Sequence, residues 1–160
     1  MWKYRDEAEN QISLHDCRAT QITVGENKIC MGFADGFWIL SNTLYNPSGE
    51  TLKTTRSQIT FYLNTQYADE VEIAVFRRKQ LRGKKISVRE FRNLAWLMKM
   101  VNGNGAQLEF IDEYQNYGDR LYRGYLKAKR PPCSLECEIE IPWIEKIEYC
   151  WNEIDPENVW

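Results

Sequence analysis

The sequence predicts an α+β fold that is mostly β, with about nine antiparallel strands and one amphipathic helix near residues 88–101. Three observations support this class. Apolar and polar residues alternate along most of the chain, turn-forming residues separate the alternating stretches, and one stretch has helical spacing. A length of 160 residues with 43% hydrophobic composition suits a single domain, 1–160. We expect a curved sheet, a sandwich or a partly open barrel with the helix packed on it.

The first three predicted strands form a meander. A turn at Gly25 joins the first two, and the Asp35-Gly36 pair, a strong hairpin signal, leads into the third. A loop-like stretch containing Asn46-Pro47 follows. We expect the polar end, 152–160, to form a flexible tail unless a neighbouring strand holds it. The nine predicted strands cover residues 17–24, 28–33, 37–40, 57–64, 70–78, 107–113, 120–129, 134–141 and 145–151.

The predicted helix runs from residue 88 to residue 101. Ser87 and Glu90 have the spacing of a capping box, and Asn102-Gly103 supplies a C-terminal stop. The apolar stripe of this helix comprises Phe91, Leu94, Ala95, Met98 and Val101. Its opposite side is a basic face with one aromatic residue, formed by Arg89, Arg92, Trp96 and Lys99.

The formal net charge of −2 conceals an uneven distribution along the chain. Residues 76–130 carry a surplus of nine cations, whereas residues 131–160 carry a surplus of seven anions. Charges separated in this way form two patches, or they neutralise each other where strands pair. The sequence is therefore a reason to look for a basic surface.

Three glutamates on one predicted strand need cationic neighbours. Alternation places Glu136, Glu138 and Glu140 on one face. If the preceding strand pairs with this one, we expect Arg123 to stand beside Glu140. Lys127 would stand beside Glu136, and much of the acidic segment would be neutralised.

The segment from residue 77 to residue 92 is the strongest candidate for a binding site. Six of the nine residues from 77 to 85 are Lys or Arg. Such a surface binds a nucleic acid, binds an acidic protein, or is only a solvated face. The candidate binding residues are Arg77, Arg78, Lys79, Arg82, Lys84, Lys85, Arg89, Arg92 and Trp96.

The sequence gives little support for catalysis. His15 is the only histidine, whereas a metal phosphohydrolase of the His-Asp kind needs several. A Ser-His or Cys-His pair would have to use His15, and nothing in the sequence places a serine or cysteine nucleophile beside it. No phosphate loop, nucleophile elbow or metal signature occurs. We therefore expect no enzyme activity, no metal site and no cofactor, and a structural role for His15 and Asp16.

Cysteine usage and hydropathy bear on location. The five cysteines are an odd number without the dense spacing of a secreted scaffold, which favours reduced and mostly buried thiols. No run of about 18 apolar residues is present to span a membrane, and the N-terminus is charged where a secretory signal is apolar. We expect a cytoplasmic protein with no membrane contact.

The stretch SLHDCRATQITVGENKICMGF, which begins at Ser13, resembles small β-rich bacterial proteins in which a His-Asp pair opens the first strand of a meander. Some of these are immunity-type proteins of toxin systems. The resemblance covers residues 13–37 and implies a non-catalytic domain that binds a partner.

Three functions follow from these observations. The first is a bacterial or phage-encoded binding protein, immunity-like, that contacts another protein. The second is a nucleic-acid-associated module that uses the basic 77–92 segment. The third is a small-ligand-binding β-barrel, which would need a large apolar cavity.

Overall fold

The computed structural model describes residues 1–7, 9–64, 70–131 and 133–160, and in this part of the chain it is mostly β. The first seven strands are β1 (Tyr4–Asp6), β2 (Ile12–Ser13), β3 (Arg18–Val24), β4 (Lys28–Phe33), β5 (Trp38–Ile39), β6 (Leu52–Thr54) and β7 (Ser57–Leu63). The other seven are β8 (Glu72–Leu81), β9 (Lys84–Arg92), β10 (Gln107–Asn116), β11 (Asp119–Lys127), β12 (Ser134–Ile141), β13 (Ile144–Trp151) and β14 (Ile154–Val159). One short helix, α1 (Leu94–Met98), continues into a π-helical turn, Lys99–Gly103. A 3-10 turn, Glu9–Gln11, precedes β2.

The strands form two antiparallel sheets. The larger sheet is open and has the order β1-β13-β7-β4-β3-β10-β11-β12-β8-β9, so β1 and β9 are its edges. The smaller sheet has the order β14-β6-β5-β2. All nine predicted strands are present, β4 and β12 with the predicted bounds and the other seven with shifted bounds, and five further strands, β1, β2, β6, β9 and β14, accompany them.

The larger sheet is strongly curved. Phe61 on β7 and Tyr122 on β11 are four strand positions apart, which in a flat sheet would separate them by about 19 Å. Their ring centroids are 5.8 Å apart. The open sheet therefore curls so far that side chains of β7 and β11 meet across its concave face. This face holds the core, which includes Phe33, Phe110 and Ile139.

The helical segment covers one side of this core. Leu97 and Val101 are buried against it. The Asn102 side chain fixes the turn to β3, because its amide nitrogen donates to the Ile22 carbonyl at 2.6 Å and its amide oxygen accepts from the Ile22 N–H at 2.9 Å. A paired amide of this kind replaces two backbone hydrogen bonds that β3 would otherwise lack.

The predicted start of the helix at residue 88 is wrong. Residues up to Arg92 belong to β9, and the helix begins after Asn93, whose side chain accepts a hydrogen bond from the Trp96 N–H at 2.9 Å. Ser87 and Glu90 therefore form no capping box. This segment is a strand for two reasons. Ile86 and Val88 are β-branched and favour extended backbone, and β9 pairs with the outer edge of β8, whose residues Ile73 to Val75 are buried.

The apolar stripe and the basic face of the predicted helix change with this correction. Leu97, which the predicted stripe omitted, is fully buried, whereas Phe91 is exposed. Arg89 and Arg92 are three apart on a strand, so they point to opposite faces of the sheet and share no face with Lys99.

The pairing of β11 with β12 differs from the expected register by two residues. Arg123 lies opposite Glu138, not Glu140, and its side chain contacts Glu138 at 3.3 Å and Glu136 at 3.7 Å. Lys127 contacts Glu109 at 3.0 Å instead of Glu136. A shift of two residues keeps every side chain on its predicted face. The turn between these strands includes residue 132, which lies outside the described residues.

The segment 152–160 contains β14, which pairs with β6, so a neighbouring strand holds it. Among the described residues, no helix has the length and hydropathy required to cross a membrane.

Candidate interaction surface

The basic segment folds into a hairpin that projects from the larger sheet. β8 pairs with β12 only from Glu72 to Phe76, whereas its pairing with β9 continues to the partners Leu81 and Lys84. Arg82 and Gly83 form the two-residue turn, with φ of 47° and 78°. Two positive φ values are typical of the turns that match the twist of a hairpin. We call residues 77–88 the basic arm.

The two faces of the basic arm follow from alternation along its strands. Arg77, Lys79 and Leu81 continue the face on which Ile73 and Val75 are buried. Directly opposite residues of an antiparallel pair share a face, so Lys84, Ile86 and Val88 join them. The other face carries Arg78, Gln80, Lys85 and Ser87.

Glu90 neutralises the base of the arm. Its carboxylate lies 3.3 Å from Arg77 Nε, 3.0 Å from Lys79 Nζ and 2.5 Å from an Arg92 guanidinium nitrogen. The hydrogen bond from Lys79 is the main cause that lowers the pKa of Glu90. Three of the eight predicted cations therefore share one carboxylate.

A fourth cation, Arg89, is neutralised on the other face. Its guanidinium contacts Glu138 at 3.3 Å and lies 4.9 Å from the centroid of the exposed Phe91 ring. Trp96 stands apart from the arm on α1, where Arg92 lies 5.8 Å from its ring centroid. The structure thus brings the predicted cations together but places Trp96 beside the base of the arm.

Within the described residues, the arm has four cations without a carboxylate partner, three of them at its tip and Arg78 nearer its base. Among the described residues, no carboxylate lies within 4.0 Å of the side-chain nitrogens of Arg78, Arg82, Lys84 or Lys85. All four side chains are exposed. Their charges are therefore available to a partner.

Two aliphatic residues accompany these cations. Leu81 is 59% exposed and Ile86 is 39% exposed, on the same face of the arm. Leu81 and Ile86 were not predicted as contacts, because the predicted strand ends at residue 78 and the hairpin was not foreseen. Glu90 was not predicted as a neutralising residue, because it was assigned to the helix.

His15 and Asp16 lie in a turn between β2 and β3, with Asp16 at φ 56°. His15 Nδ1 is 2.6 Å from the Ile111 carbonyl oxygen, and its ring stacks on Trp160 with centroids 5.5 Å apart. The Asp16 N–H donates to the Phe110 carbonyl at 2.8 Å. Each residue connects this turn to β10, as a structural role requires.

The buried thiols are poor nucleophiles. Burial raises the pKa of Cys17 and of Cys137 to about 12, and burial also raises the pKa of Cys150. These thiols are protonated near neutral pH, and the thiol form is unreactive. All five cysteines are unpaired. In the described part of the chain, no three His, Cys, Asp or Glu side chains are grouped to hold a metal ion.

Comparisons with protein-family models, with curated proteins and with solved structures find no match for this chain.

Proposed function

We propose that this protein is a non-catalytic, cytoplasmic binding protein that contacts an acidic partner protein through the basic arm. The observation that carries the proposal is the tip of the arm, where unpaired cations stand beside the exposed Leu81 and Ile86. A hairpin that leaves its sheet presents both faces to a partner. An immunity-type protein of a bacterium or phage, a kind found among the small β-rich bacterial proteins that residues 13–37 resemble, would act in this way.

The aliphatic residues favour a protein over a nucleic acid. Phosphate groups are bound by cations alone, and a nucleic acid would use a nearby Leu or Ile only as a wedge between its bases, whereas protein interfaces regularly bury an apolar centre within a polar rim. The tip of the arm has both parts. The third function from the sequence, a small-ligand barrel, stays a prediction, and the larger sheet is open.

The experiment is affinity capture from a lysate of the source organism, with and without nuclease. The bait is the full chain, as wild type and as two arm variants, Lys84→Glu/Lys85→Glu and Leu81→Ser/Ile86→Ser. We expect one captured protein that survives nuclease and whose recovery falls by about tenfold or more with either variant. Both variants change exposed residues, so their thermal denaturation should match the wild type.

The matched control is Lys28→Glu/Lys99→Glu, which reverses two exposed charges outside the arm. Recovery with this control should equal that of the wild type. Capture of nucleic acid alone, lost with nuclease and at high salt, would contradict the proposal and support the nucleic-acid alternative, whether or not Leu81→Ser/Ile86→Ser retains it. If recovery of the captured protein falls as much with the control as with the arm variants, the arm attracts the partner only by non-specific charge, and this result would also contradict the proposal.

A further inference from the structure

A fork opens where β8 and β12 separate. Glu72 to Phe76 of β8 pair with Glu140 to Glu136 of β12, and the pairing ends there, although β12 begins two residues earlier, at Ser134. From residue 77 to residue 81, the β8 edge that faces β12 has no strand partner within the described residues. These residues span about 17 Å, and an unpaired strand edge is a template for an added strand.

Space is available on both faces of this fork. One cavity, of about 570 Å³, extends from Arg77 and Leu135 toward Trp96, Lys129 and Arg130. A second, of about 620 Å³, extends from Arg77 and Leu135 to Arg78, Lys79 and Tyr125. Because both cavities share Arg77 and Leu135, they adjoin along the uncovered edge of β8.

The charge of the fork is strongly positive. Its walls carry the cations Arg77, Arg78, Lys79, Lys129 and Arg130. Glu136 is the only carboxylate among the described residues that line the two cavities, and it already contacts Arg123. Arg77 and Lys79 share Glu90, so the free charge of the fork comes from the other three cations. Arg78, Lys129 and Arg130 have no carboxylate within 4.0 Å in the described part of the chain.

The half of β8 that pairs with β12, Glu72 to Phe76, shows which kind of strand binds to this edge. It pairs with β12, whose outward residues are the alternating Glu136, Glu138 and Glu140. Across this pair Glu138 contacts Arg89 of β9, one strand further on. The uncovered half offers the same backbone edge with more cations, so a strand of similar chemistry is complementary to it.

We propose that the β8 edge from residue 77 to residue 81 is a strand-addition site for an extended acidic segment of a partner protein. This inference rests on the proposed function and specifies how that partner is bound. Backbone hydrogen bonds to β8 supply affinity, and the carboxylates of the segment contact Arg78 on one face and Lys129 and Arg130 on the other.

The test uses a fluorescent synthetic peptide that alternates glutamate and valine, titrated into the full-length protein and followed by anisotropy. Two further peptides carry N-methyl groups on alternate residues, in one frame or in the other. In an extended strand each frame blocks the donors of one edge only. We expect one frame to weaken binding by about tenfold and the other to leave it nearly unchanged.

Protein variants locate the site. Lys129→Glu/Arg130→Glu should weaken binding of the unmodified peptide, whereas Lys28→Glu/Lys99→Glu, of equal charge change, should not. Hydrogen exchange should show slower amide exchange at residues 77–81 in the presence of peptide. Strand addition would be overturned if both N-methylated peptides bind more weakly by the same small factor. It would also be overturned if a single-stranded oligonucleotide of the same charge binds as well as the unmodified peptide.

The two proposals fail in different ways. If the arm variants abolish capture of a protein from lysate but the two N-methylated peptides bind alike, strand addition is wrong and the proposed function stands. If the lysate yields only nucleic acid, the proposed function is wrong, and the inference that depends on it is withdrawn with it.

Discussion

Glu109 shows how a single carboxylate organises the outer face of the larger sheet. It is 6% exposed, and it contacts a guanidinium nitrogen of Arg18 at 2.8 Å and Lys127 Nζ at 3.0 Å. Burial alone would raise the pKa of Glu109, but the hydrogen bonds from Lys127 and Arg18 outweigh it and lower the pKa. The ion pairs therefore join β3, β10 and β11 around one group.

The lowered pKa of Glu109 predicts a pH-dependent contribution to stability. A group whose pKa is lower in the folded protein contributes stability above its unfolded pKa, about 4.3 for Glu, and that contribution is lost as the pH falls through the folded pKa. Glu109→Gln should therefore lower the free energy of unfolding at neutral pH. The difference from the wild type should shrink between about pH 5 and pH 3.

Chemical denaturation of both proteins across this pH range measures the effect. Glu26→Gln, a change at an exposed glutamate, is the control and should follow the wild type at each pH. A difference between Glu109→Gln and the wild type that is constant with pH would contradict the ionic interpretation. It would indicate that the amide disturbs packing instead.

At the scale of elements, the start of α1 depends on Asn93. Because Asn93 caps the helix and Ser87 lies exposed in β9, the two residues should respond differently to the same substitution. Asn93→Ala should lower the free energy of unfolding by about 1 kcal/mol, the usual cost of losing a cap. Ser87→Ala should change it by no more than about 0.5 kcal/mol.

Urea denaturation of the two variants distinguishes the observed helix from the one predicted by the sequence. If the capping box of Ser87 and Glu90 existed, Ser87→Ala would be the costlier change. That outcome would place the helix start six residues earlier and would remove β9 from the sheet.

Most strands could be predicted from the sequence because one of their faces is buried. β12, for example, alternates Leu135, Cys137 and Ile139 with glutamates, and alternation is the direct consequence of a half-buried sheet. β9 could not be predicted, since most of it projects from the sheet and both of its faces meet solvent. Its spacing of apolar residues then resembles that of a helix.

Short strands were missed for a different reason. β2 and β5 are two residues each, too short for any period to be visible, and β14 contains Pro156. Proline disfavours a strand unless it lies at an edge, and β14 is an edge strand. The candidate cations were predicted correctly as a group, but the fork beside them depends on where two strands diverge, which the sequence does not encode locally.

At the scale of the whole molecule, the uneven charge of the chain is largely resolved by strand order. β12 lies between β11 and β8, so its Glu138 contacts Arg123 from one side and Arg89 from the other. The acidic C-terminal part thus neutralises Arg89 of the basic segment and Arg123 of β11, whereas Glu90 neutralises Arg77, Lys79 and Arg92 from within the segment. Among the described residues, single cations such as Lys28 and Lys99 have no carboxylate partner elsewhere, but unneutralised cations are grouped at the arm and the fork, which is why these are the candidate contacts.

The C-terminal segment forms an edge strand of the smaller sheet, and this arrangement makes the last residues part of the fold. β14 pairs with β6, and the Trp160 ring stacks on Trp38 with centroids 5.6 Å apart and also on His15. Deletion of residues 153–160 should therefore lower the thermal denaturation midpoint and increase amide exchange at residues 38–54. Trp160→Ala, which removes only the stacking, should lower the free energy of unfolding by about 1 kcal/mol.

Partner binding should not depend on this segment. The basic arm belongs to β8 and β9, at one edge of the larger sheet, so partner capture by the truncated protein should equal that of the full chain. Unchanged exchange at residues 38–54 would show that the terminal segment is not held by β6, whereas loss of capture would show that the partner contacts the C-terminal strand instead of the arm.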